Sequence, residues 1–60
     1  MSAVYNPESD LIAQIEQLEL EARETHRKVE HTRSQEDRRV LNRQLKELKD
    51  KIEFLRQRLP

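Results

Sequence analysis

The sequence predicts an all-α fold, an antiparallel two-helix coiled-coil hairpin, and three observations predict it. Two heptad seams run along the 60 residues. Their phase breaks near the middle of the chain. The charges flanking the seams match when the chain is folded back on itself.

The second seam is the cleaner one. Leu41, Leu45, Leu48, Ile52, Leu55 and Leu59 recur at spacings of 4, 3, 4, 3 and 4. This places Leu45, Ile52 and Leu59 at a and Leu41, Leu48 and Leu55 at d of a heptad. Such a stripe needs another helix to cover it. The first seam is Leu11, Ile15, Leu18, Ala22, Thr25, Val29 and Thr32, with Ile15, Ala22 and Val29 at a. It weakens from Leu and Ile to Ala and Thr toward the middle.

Residues 1–6 read as a lead and helix cap. In Asn6-Pro7-Glu8, Asn is a good N-cap because its side chain accepts from the free N–H groups of the first turn. Pro suits the first helical position, where its missing N–H costs nothing. Residues 7–60 read as the hairpin, with helices over 7–33 and 36–59 and a turn at 34–36.

The turn rests on the phase break. Val29 and Leu45 are both a positions yet lie sixteen residues apart. On one straight helix the second stripe would be rotated by roughly 120° from the first, at about 100° per residue. One stutter or stammer does not repair that. The intervening Ser34 is a candidate N-cap, with Asp37 three residues on as a capping-box variant. No Gly or Pro marks the break. The competing architecture is therefore a single long helix in an antiparallel coiled-coil dimer, with the same contacts made between chains.

Pairing residues whose numbers add to 70 sets every a of one helix against a d of the other, from Leu11–Leu59 to Val29–Leu41. Small residues of the first helix meet Leu of the second, as interdigitating layers require. Glu19 then falls opposite Lys49, Glu21 opposite Lys51 and Gln14 opposite Arg58. The first 22 residues hold five acids and no Lys or Arg, whereas Lys49, Lys51, Arg56 and Arg58 flank the second seam. A parallel in-register dimer would stack acid on acid.

Composition bounds the function. Charged residues make up 40%, there is no Gly and no Cys, and the formal net charge is zero. This suits long helices, and the sustained period argues against disorder. Without Cys there is no disulfide and no thiolate metal site. No apolar run reaches the 18 or so residues of a membrane span. The first residues lack the pattern of a signal peptide, which predicts a cytoplasmic protein.

Catalytic and cofactor chemistry find no foothold. His26 and His31 are five residues apart and lie on different helix faces, unlike the i, i+4 pair of a helical zinc site. His26 and Glu30 have that spacing, but two ligands do not make a site. No nucleophile or acid–base motif and no Gly-rich phosphate loop is present, so the reading is no enzyme, no cofactor, no metal and no small-molecule ligand.

Two sets of residues remain as candidate contacts. Ile12, Leu20, Val40 and Phe54 are apolar but lie off the seams. Together they would supply a second, thinner seam, so that two hairpins form a four-helix bundle. Alternatively, Phe54 and Leu20 anchor a partner protein. The second set is Arg33, Arg38, Arg39, Arg43 and Lys46. Residues 23–46 hold eight basic and four acidic residues, an excess of +4. These bases are candidate nucleic-acid contacts. No aromatic residue sits among them to stack on a single strand. The sequence thus predicts a small non-enzymatic adaptor or regulatory module that binds protein through its helix faces and self-associates, in the first instance as a homodimer. A nucleic-acid-binding regulator is the alternative. No family motif is legible in these residues.

Overall fold

The computed structural model describes residues 6–60; the lead Met1–Tyr5 lies outside the described residues. Two α-helices, α1 (Pro7–His31) and α2 (Gln35–Arg56), pack against each other as an antiparallel hairpin. The chain does not continue as one rod.

Each helix starts where a side chain takes up the free N–H groups. Asn6 is extended at φ −114°, ψ 101°, and its Oδ1 accepts from the N–H groups of Glu8 (3.0 Å) and Ser9 (3.3 Å). Pro7 follows at the first helical position, with Glu8 and Asp10 at the positive end of the helix dipole. Ser34 repeats the device at α2, its Oγ accepting from the Asp37 N–H at 3.2 Å.

The connection is Thr32-Arg33-Ser34, two residues earlier than a turn at 34–36. An N-cap is itself non-helical. Once Ser34 caps α2, helix can resume only at Gln35, and α1 must stop before it. Thr32 is extended at φ −76°, ψ 140°, a region its branched side chain favours. Helix ends often use a left-handed Gly to satisfy the last carbonyls. Here, among the described residues, no backbone angle φ is positive. Instead the Arg38 guanidinium donates to the Thr32 carbonyl at 3.1 Å, and the Thr32 N–H donates to the Lys28 carbonyl at 2.9 Å. Replacing Ser34 with Ala is expected to lower stability by about 1 kcal/mol. Thermal melts followed by circular dichroism check this, and an unchanged midpoint would show that the cap contributes nothing.

The far end also stops short of residue 59. The Arg58 N–H donates to the Leu55 carbonyl and the Leu59 N–H to the Arg56 carbonyl, both at 3.1 Å. These i→i+3 bonds tighten the last turn. Pro60 disfavours a helical Leu59. Leu59 stays half-buried although it lies outside the helix.

The core is a single line. Ile15, Leu45 and Ile52 are 6%, 8% and 8% exposed. Leu11, Leu18, Ala22, Thr25, Val29, Thr32, Leu41, Leu48, Leu55 and Leu59 are half-buried. Off these two stripes, Glu19 alone among the described residues is not exposed. The stripes face each other because their period is that of a helix face and nothing else apolar lies within reach. With only the two facing stripes and Glu19 covered among the described residues, both broad sides of the hairpin meet water.

Candidate interaction surfaces

The two broad sides differ in make-up. One is lined by e and b positions of both helices, the other by g and c positions. On the e side, Glu19, Lys49 and Arg56 line a cleft of about 340 Å³ together with Ala22 and Ile52 of the seam. Arg56 donates to Glu19 Oε2 at 2.8 Å. Glu19 lies between Lys49 and Arg56, both e positions one heptad apart, and takes the arginine. Arg reaches further and its planar fork loses less freedom per bond formed. The half-exposed pair is worth about 0.2–1 kcal/mol. A double-mutant cycle on Glu19→Lys and Arg56→Glu should show favourable coupling of that order, lost in high salt. Strict additivity at low salt would remove the pair from the account.

Open clefts also lie on the g side among the described residues. Gln14 and Arg58 line one of about 250 Å³. Glu21 and Lys51 line another of about 340 Å³. The third, of about 500 Å³, lies beside the turn and is lined by Lys28, His31, Thr32, Asp37, Val40, Leu41 and Gln44. The flanking pairs expected from the fold-back alignment thus share clefts.

The four apolar residues outside the seams are not brought together. Val40 and Phe54, 51% and 62% exposed, both sit at c positions of α2 on the g side. The Arg58 guanidinium carbon stands 6.0 Å from the centre of the Phe54 ring, at the outer limit of a cation–π contact. Ile12, 44% exposed, is an e position on the other side, and Leu20, 46% exposed, is an f position facing away from α2. Sequence position alone lists the four as equals; the hairpin's two-sidedness separates them.

The basic candidates also divide. Arg38 is engaged at the turn, where it caps α1. Arg33 lies in the connector. Arg39, Arg43 and Lys46 are exposed at spacings of 4 and 3 on the outer face of α2. His26 Nδ1 and Glu30 Oε1 are 3.1 Å apart on the surface of α1. Among the described residues no group of three or more His, Asp or Glu is placed to hold a metal ion, and no charged side chain is buried. None of the helices is long and apolar enough to cross a membrane, among the described residues.

The sequence sets Arg58 opposite Gln14 and places Arg56 only as a flank of the second seam; the Glu19–Arg56 pair and the Arg58–Phe54 contact are not read from it. The e-to-e rule of an antiparallel pair permits Arg56 for Glu19, and the i, i+4 spacing permits Arg58 over Phe54. Neither rule chooses between competing bases. No family model, no curated protein and no solved structure matches the chain.

Proposed function

We propose that the hairpin is a small non-enzymatic protein–protein interaction module that works through the outward faces of its helices. The observation that carries this reading is the exposure of Val40 and Phe54 on one side of α2. Single exposed apolar residues are ordinary. An aromatic ring that is mostly exposed, on a chain whose seam is already closed internally, is surface available to a partner. A catalytic pocket encloses its substrate; the clefts here are shallow grooves between two helices. The test is a nuclease-treated pull-down read by mass spectrometry, with wild type beside Phe54→Ala and Val40→Ala. Proteins retained by wild type and lost from both variants support the reading. Retention that ignores both residues sinks it.

A second reading has one observation in its favour, the alignment of Arg39, Arg43 and Lys46 on the outer face of α2. Such a row suits phosphate contact. Binding to duplex nucleic acid would then weaken steeply with salt, the log–log slope changing by about 0.9 per phosphate contacted. Fluorescence polarisation with a labelled duplex measures that slope, and a flat response dismisses this reading.

A further inference from the structure

We infer that the half of the hairpin beside the turn docks on the phosphate backbone of a nucleic-acid duplex through cations of both helices, Arg23 and Arg27 of α1 with Arg39, Arg43 and Lys46 of α2. This rests on the second reading above and widens it from one row on α2 to a face that both helices build.

The fold sorts charge by half. Residues 23–46 make up the turn half and hold eight basic and four acidic residues, an excess of +4. The chain has 12 bases and 12 acids, so the open half holds the remaining four bases and eight acids, −4. Folding back about the turn gathers each set at its own end. The middles of the two halves are about 21 Å apart, at 1.5 Å per residue. Charges on a surface are largely screened beyond about 8 Å at physiological ionic strength. A ligand on the turn half therefore meets the +4 and not the zero net charge of the whole chain.

Heptad position sorts the turn half again. Arg23, Arg39 and Lys46 are b positions, Arg27 and Arg43 are f positions, and all five are exposed. In the fold-back alignment Arg27 stands level with Arg43, and Arg23 within one residue of Lys46. Like charges thus stand side by side on the two helices. Among the described residues none of the five is in an ion pair. The acids at b and f positions of this half are Glu30, 3.1 Å from His26, and Glu36 in the first turn of α2. Lys28 lies on the g side with Glu24 and Asp37, and Arg38 caps α1.

The partner follows from what the face lacks. No Phe, Tyr or Trp lies in residues 23–46 to stack on an unpaired base. Val40, the exposed large apolar residue of this half, is a c position on the other side, so nothing here enters a bilayer. What remains is a set of fixed cations, which suits a regular row of anions. Arg39 to Lys46 rises about 11 Å. A DNA duplex carries one charge per about 1.7 Å, so about six phosphates lie along that length, enough for five cations. Such contacts hold the duplex without reading its sequence.

Fluorescence polarisation with two labelled DNA duplexes of unrelated sequence tests this, and both should bind alike. Five contacts predict a log–log salt slope of about −4.5, at roughly 0.9 per phosphate. A fourfold rise in salt should then weaken wild type about 500-fold. The double variant Arg23→Gln, Arg27→Gln should weaken only about 40-fold over the same range, and so should Arg39→Gln, Arg43→Gln. Lys51→Gln, Arg58→Gln removes the same charge from the open half and should keep the wild-type slope. All six positions are exposed, so each variant should retain its helical circular dichroism. A slope untouched by Arg23 and Arg27 overturns the two-helix face and leaves the α2 row standing. Equal losses in all three variants overturn the sorting by half. A flat salt response in wild type overturns this inference and the second reading together. Vesicles of anionic phospholipid that bind as tightly as the duplexes overturn the choice of partner.

Discussion

Replacing Ile52 with Ala is expected to leave the chain largely unfolded. Ile52 is one of three side chains buried among the described residues, at 8% exposure. Truncating a buried Ile costs about 2–5 kcal/mol, because the transfer term and the cavity term add. A core of this size supplies only about 3–5 kcal/mol in total. The two figures are close enough that the folded population should collapse. Far-UV circular dichroism at room temperature reads the result. Phe54→Ala, on the same helix but 62% exposed, should by contrast keep its helical signal at high protein concentration. If Ile52→Ala melts within a few degrees of wild type, the seam is not what holds the two helices together.

Spin labels at residues 14 and 58 should report a short distance. Gln14 and Arg58 are both exposed and line one cleft across the open end of the hairpin. In a straight helix they would be about 66 Å apart, at 1.5 Å per residue. Dilution with unlabelled protein leaves one labelled chain per assembly, so the distance is intramolecular. A value near the rod length would mean that the helices exchange between chains and meet only there. A Gly at Gln35 gives an independent reading. At the first residue of a helix it should cost a few tenths of a kcal/mol, against about 1 kcal/mol inside a continuous helix.

The seams were legible because burial of Leu and Ile at a 3.5-residue period leaves few alternatives. Ile15, Leu45 and Ile52, the three buried residues, are all a positions read from spacing alone. The antiparallel fold-back followed from matching a with d and acid with base. Helix ends were less legible. Thr32 leaves the helix because Ser34 needs a non-helical backbone to cap α2, and that is a consequence of geometry rather than of propensity. The partner of Glu19 was misread for a related reason: the fold-back alignment sets it opposite Lys49, and it pairs with Arg56. Lys49 and Arg56 are equivalent by heptad position, and only side-chain reach decides between them. The grouping of Ile12, Leu20, Val40 and Phe54 failed to emerge because hydropathy marks a residue as apolar without saying on which broad side of a two-helix layer it will stand.

The capped, glycine-free turn has a consequence for the order in which the chain assembles. Contacts in the fold-back alignment span 12 residues at Val29–Leu41 and 48 at Leu11–Leu59. Closing a short loop first and zipping outward avoids the entropy of closing a long one. Yet the layer beside the turn, Val29–Leu41, is only half-buried, while the buried Leu45, Ile15 and Ile52 lie farther toward the open end. The layers that form earliest contribute least, so early structure leans on the Ser34 hydroxyl and the Arg38 guanidinium. Loss of the Ser34 cap should accordingly appear mainly as slower folding. Truncation at the open end should appear mainly as faster unfolding.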